Sequence, residues 1–213
     1  TFPAAVEVAM RGRGHTKVFF GCLTAAPWRD PVFSGFFLSL IIFGFFGGIT
    51  GVTLGTQQIN ILAHNTLRIP GHFHTTVAGG TSLAFMALTY YVVPLIFQKE
   101  YYMKALCRIQ PYIFALGIIM VSLGMSFAGS MGAPRRHWDV NFADANLAAG
   151  FDSSVHLWLG VLGVGGIIAF LGVLIFVVTT VAAVFFGRSN EGRAMEPWLD
   201  KKDDKEVKEI LGG

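Results

Sequence analysis

The sequence predicts an all-α protein, a polytopic bundle of transmembrane helices, on three observations. It is 53% hydrophobic and only 14% charged, with 16 Lys and Arg and 13 Asp and Glu; soluble domains carry about a quarter charged residues. No charge occurs between Asp30 and Arg68 (37 positions), Arg68 and Lys99 (30), Arg108 and Arg135 (26) or Asp152 and Arg188 (35). Each gap exceeds the roughly 20 residues that a helix needs to cross a bilayer. Third, the basic residues flanking the gaps divide unequally between the two sides. A soluble enzyme, a nucleic-acid-binding domain and a disordered chain are thereby excluded.

Over 1–32 the chain reads as the end of a transmembrane helix followed by an inner-side loop holding Arg11, Arg13, Lys17 and Arg29. Thr1 to Arg11 lack the basic stretch and apolar run of a signal peptide. Four spans follow, at 33–63, 72–97, 109–132 and 154–186, making one membrane region over 33–186. Continuous apolar character marks them, because such helices face lipid or one another on all sides. Gly47, Gly51 and Gly55 share a face of the first span, and Gly160 and Gly163 do similar duty in the last; small residues let helices approach closely. The second span starts near His72, after Pro70 and Gly71. Lys99, Lys104 and Arg108 separate it from the third. The tail, 187–213, is charged, and "KKDDKEVKEIL" suits a short solvated helix. Thirteen basic residues then lie on the side of the tail, against Arg68, Arg135 and Arg136 on the other. The positive-inside rule puts the tail inside. Cys22 and Cys107 have no metal-ligand spacing and read as free thiols.

Five of the six histidines, His64, His72, His74, His137 and His156, map to the outer side. Ionisable groups near a membrane are costly and tend to mark function. In "RIPGHFHTTVAGG", His72 and His74 are two residues apart, so on a helix they project about 200° apart. One metal ion would prefer i and i+4. Two faces suit two large cofactors, and haem iron takes an axial imidazole; on spacing alone, interfacial histidines bonded to backbone or water are the plainer reading. In "MGAPRRHWD", Arg135 and Arg136 run against the charge trend. Guanidinium forks bind carboxylates, such as haem propionates, in bidentate fashion; a solvated loop pair fits equally. Asn60 and His64 share the outer depth, four residues apart on one predicted helix face.

These residues carry a resemblance. "HNTLRIPGHFH", from His64 to His74, followed by "APRRHW" one span later, resembles the C-terminal part of subunit I of the haem–copper oxygen reductases, most closely the B-type branch. The resemblance implies a larger bundle of about twelve spans, of which this chain holds about a third. It implies two haems: His72 as ligand of the high-spin haem iron, where oxygen binds, and His74 as ligand of the low-spin one. It places Phe73 between the haems, Arg135 and Arg136 on propionates, and Asn60 and His64 close to those propionates. Thr1, in "TFPAAVE", is similar to a helix carrying a proton-uptake route. Many relatives carry an aspartate where Asn60 stands, so a charge-linked proton site there is in question. No His-His pair and no His-x-x-x-Tyr occur in the chain; the copper ligands belong to helices before Thr1.

The implied activity is that of a respiratory terminal oxidase reducing dioxygen to water, with proton pumping open. The chain would act only with the remainder of subunit I, a subunit II carrying copper or another electron-entry site, and cytochrome c or a quinol as donor. A prokaryotic inner membrane, with the haem-ligand side outward and lipid around the bundle, is the implied setting. Nitric oxide reduction on the same scaffold, a non-catalytic haem-bearing electron carrier and a histidine-relay transporter are the other readings. Nucleic acid is not a partner.

Overall fold

The computed structural model describes residues 2–12, 23, 26–136 and 153–189. Thr1, His15, Cys22, His137 and the charged tail beyond Ser189 lie outside the described residues. Among the described residues the regular secondary structure is all helical, with two isolated β-bridges in the connections. Helix α1 is Phe2–Gly12, and four long helices follow that are apolar enough to cross a membrane: α2 (Pro31–Gly55), α4 (Arg68–Phe97), α5 (Lys104–Ser130) and α6 (Ser154–Phe186). A short α3, Gln57–Ala63, lies between α2 and α4.

Local chemistry sets the helix ends. Asp30 caps α2, its carboxylate accepting from the Val32 N–H at 2.8 Å, and Pro31 supplies a preset φ at the first helical position. The first span ends earlier than the sequence predicts. Thr56 is extended (φ −77°, ψ 130°), α2 stops at Gly55, and the remaining residues to Ala63 form α3. Helix α4 begins earlier than His72, at Arg68, and tolerates Pro70 in its first turn.

Both α2 and α4 widen into π-helix, at Ile41–Gly47 and His74–Thr81, and the two wide stretches pack on each other. Gly80 permits this: a β-carbon there would stand 2.6 Å from that of Phe43. The Ser39 hydroxyl donates to the Gly80 carbonyl at 2.6 Å across this contact. Against them lies a buried layer of Ile42, Leu83, Met86, Phe114 and Ile118.

The largest contact joins α5 to α6. Gly117 and Gly124 on α5, and Gly165 and Gly172 on α6, are each seven residues apart. A β-carbon on Gly124 would meet Leu162 at 2.8 Å, and one on Gly165 would meet the Met120 β-carbon at 2.6 Å. This seam is the small-residue packing of membrane helices. Gly160 and Gly163, expected to serve it, have open space at the β-carbon position and take no part. Where the seam meets α4, Gln110 is fully buried; it accepts from the Tyr90 hydroxyl at 3.1 Å and donates to the Gly172 carbonyl at 3.2 Å.

Charges sort to the two ends of the bundle. Glu100 donates its N–H to the Arg188 carbonyl at 2.9 Å, and Lys99 Nζ donates to the Val184 carbonyl at 2.6 Å, so the Lys99, Lys104 and Arg188 segments share one end. Arg68, Arg135 and Arg136 share the other with His64. Cys107 is a buried free thiol.

Candidate functional site

The site grows from the start of α4. His72 and His74 follow its first turn, on either side of the change from α to π geometry. His72 leans on α2, where Thr50 Oγ1 lies 2.8 Å from its Nδ1. The Thr50 hydroxyl itself lies 2.8 Å from the Phe46 carbonyl and 3.0 Å from that of Gly47, and donates there. This arrangement suits the tautomer in which the Thr50 oxygen accepts and His72 Nδ1 carries the proton. Gly51 makes room, since a β-carbon at that position would stand 3.2 Å from His72 Cε1. His74 Nδ1 lies 2.8 Å from the Pro70 carbonyl, which can only accept, so it too is protonated at Nδ1. Both rings are half-buried. Each keeps the Nε2 lone pair, the form in which neutral imidazole binds a metal.

Phe73 is 54% exposed, edge-on to the His74 ring with centroids 6.0 Å apart. The side of α4 that carries Phe73 and the half-exposed Val77 is left open by this chain, while Gly71 and Thr75 are buried and face α5.

The arginine loop is tied to the foot of α4. Thr66 and Pro134 form an antiparallel bridge. Leu67 donates its N–H to the Ala133 carbonyl at 2.9 Å, and Arg135 donates its N–H to the Asn65 carbonyl at 3.0 Å. Asn65 adopts φ 62°, a left-handed conformation that asparagine enters more readily than most residues and that turns the chain into this bridge. Arg135 Nε is buried without a hydrogen-bond partner among the described residues, and Arg136 is exposed. A buried guanidinium nitrogen without an acceptor is unfavourable, and a carboxylate is its best complement. Two imidazoles whose Nε2 atoms, and an arginine whose Nε, have no hydrogen-bond partner among the described residues thus fit a haem and its propionates.

Asn60 and His64 do not share a helix face as predicted. His64 has left α3 (ψ 131°) and is exposed, whereas Asn60 Nδ2 donates to the Leu54 carbonyl at 2.9 Å and closes the break after α2. Their nearness to the arginines is by chain turn only. His156, in the first turn of α6, is exposed. Thr50 has no signal in the sequence, and Gly51 reads there only as a packing glycine beside Gly47 and Gly55. Nothing in a single sequence says that Thr50 faces a histidine 22 residues later.

Comparison with known proteins is consistent across sequence and structure. The family described as "Cytochrome C and Quinol oxidase polypeptide I" matches residues 2–168. Cytochrome c oxidase subunit 1 of Thermus thermophilus is 31% identical over 180 residues, 83% of this chain and 30% of that protein. The Halobacterium salinarum cytochrome c oxidase polypeptide 1 is 34% identical over 103 residues, 48% of this chain and 16% of the relative. A heme-copper terminal oxidase dimer solved by cryo-EM superposes with a TM-score of 0.71 at 27% identity, covering 86% of this chain and 32% of its own. The chain thus spans about a third of the length of the Thermus protein and of the solved structure. Four membrane-crossing helices, a matching fold and a family match over most of its length make the chain a member of the haem–copper oxidase subunit I family.

Proposed function

We propose that this chain is the haem-ligating, C-terminal part of the catalytic subunit of a respiratory terminal oxidase of B-type character, which reduces dioxygen to water. The observation that carries the reading is the pair of histidines on α4, each held at Nδ1 and without a partner at Nε2 among the described residues. His72 holds the high-spin haem iron and His74 the low-spin one. Bound haem and copper supply the electron and oxygen chemistry; the chain supplies orientation and charge. Thr50 fixes the His72 ring against α2, and the Pro70 carbonyl fixes that of His74. Phe73 fills the interval between the two cofactors. Arg135 and Arg136 neutralise propionates, with Asn60 and His64 on the same side, and Thr1 opens a proton-uptake helix. The copper ligands come from the rest of subunit I. A subunit II with an electron-entry site, fed by cytochrome c or a quinol, completes the assembly in a prokaryotic inner membrane, histidine side outward.

Optical spectra of the assembled complex test the assignment. His72→Ala should remove the carbon-monoxide-binding, high-spin signal while low-spin bands survive at least partly, and His74→Ala should do the reverse. If both variants keep both signals at reduced yield, the histidines are structural and the reading fails. Selective loss of the same signal in both would mean a single cofactor.

A further inference from the structure

At the bundle end that carries Lys104, an open cleft of about 440 Å³ lies between the entry to α2 and the first turns of α5. Its walls are Trp28, Arg29, Ala105, Arg108, Ile109 and Tyr112. The aromatic walls are fixed in place. Trp28 Nε1 donates to the Leu23 carbonyl at 2.7 Å, and its ring meets Phe33 and Phe37 edge-on at 5.3 and 4.9 Å. The Tyr112 hydroxyl donates to the Trp28 carbonyl at 2.7 Å, which ties α5 to this turn. The charged walls are two guanidiniums, that of Arg29 exposed and that of Arg108 half-buried. Asp30 lies within electrostatic reach of Arg108, but its carboxylate already caps α2, and it offsets only one of the two charges. The adjoining sequence brings no further acid: none occurs between Glu7 and Asp30 or between Glu100 and Asp139. Below the arginines, Ala105, Ile109, Tyr112 and Leu116 follow at helical spacing down one exposed face of α5. The cleft is thus positive at the bundle end and apolar towards the membrane interior.

We propose that this cleft binds one anionic phospholipid, its phosphodiester on Arg29 and Arg108 and an acyl chain along Ile109 and Leu116. Guanidinium forks match the oxygens of a phosphate. Trp and Tyr favour the headgroup level, where their rings are partly apolar and partly wet. Basic pockets between membrane helices hold anionic headgroups in the same way, and the volume falls in the range of small-molecule sites. A free anion would leave the apolar track uncovered. A partner's helix would arrive at this basic end with the Lys and Arg that flank membrane helices there, setting like charge against both guanidiniums. A phospholipid answers both halves of the cleft. The inference rests on helices that cross the membrane and stands whether or not the haem assignment holds.

The test is cryo-EM of the complete complex in nanodiscs of mixed phosphatidylglycerol and phosphatidylcholine, with native mass spectrometry of the delipidated complex. Lipid density should stand in the cleft, its phosphate within hydrogen-bonding distance of both guanidiniums. On titration the complex should take up one phosphatidylglycerol more tightly than phosphatidylcholine. Arg29→Gln should weaken that uptake about fivefold, the contribution of one basic residue beside an anionic headgroup. Arg108→Gln should do the same, and the exposed Arg29 keeps the test decisive if that variant fails to assemble. Protein density from elsewhere in the complex, an isolated phosphate without acyl chains or an empty cleft would overturn the proposal. So would equal uptake of the two lipids, or undiminished uptake of phosphatidylglycerol by assembled Arg29→Gln.

Discussion

At the scale of single residues, Thr50 and Pro70 matter because they make two histidines usable. An imidazole that donates from Nδ1 to an oxygen is a more basic ligand at Nε2. On the proposed ligation, Thr50→Val should therefore raise the midpoint potential of the haem held by His72. A shift of roughly 40 mV is expected, one hydrogen bond of about 1 kcal/mol expressed for a one-electron couple. Thr50→Ser should restore it, and redox titration of both variants decides; an unmoved midpoint in Thr50→Val would remove the hydroxyl from the site. Asp30 shows the opposite economy. Burial lifts its carboxyl above the ordinary 3.8, against the pull of the Val32 and Phe33 N–H groups and of Arg108. A raised value means the folded state holds the proton more tightly. Its contribution is thus complete below about 3.8 and declines as pH rises through the raised value. Asp30→Asn keeps a capping oxygen without the charge. It should match or exceed the parent's thermal midpoint at pH 7, and that advantage should shrink towards pH 4. A larger deficit at pH 7 than at pH 4 would show that the carboxylate's charge, not its oxygen, holds the cap.

At the scale of elements, the spans were legible and their irregularities were not. Absence of charge over 26 to 37 positions needs no partner to be read, because lipid imposes it on every residue alike. The break at Thr56 and the π-helical turns depend on what lies alongside. Residues 41–47 and 74–81 have the composition of ordinary membrane helix, and it is the Gly80–Phe43 contact that accompanies their widening. The glycines of α6 make the same point. Several spacings were available in "LGVLGVGG", and only α5 selects Gly165 and Gly172 over Gly160 and Gly163. Gly165→Leu should accordingly cost about 1–3 kcal/mol by overpacking, while Gly163→Leu should stay within about 0.5 kcal/mol. Denaturation of the purified complex measures both. Equal effects would mean the α5–α6 seam is not where the structure puts it.

At the scale of the whole molecule, the histidine pair and the arginine pair were legible as residue types, and their meeting place was not. His72 and Arg135 are 63 positions apart in the sequence, and the bridge that unites their segments runs through backbone atoms that no side-chain pattern records. The basic residues that sort to two ends of the bundle predict a topology. Cysteines placed at Arg68 or Arg135 should react with impermeant reagents only from outside intact cells, and one placed at Lys104 only after permeabilisation. The reverse pattern would invert the protein in its membrane. The bridge has a consequence for how such a chain can vary over evolutionary time. Between Thr66 and Pro134 it acts as a gauge: every residue added to the Gly132–Arg135 turn would carry the guanidinium groups some 3.5 Å out of step with the imidazoles. Residues added beyond Arg136 would leave that interval untouched. Insertions and deletions should thus be free to accumulate on one side of the arginines and be purged on the other.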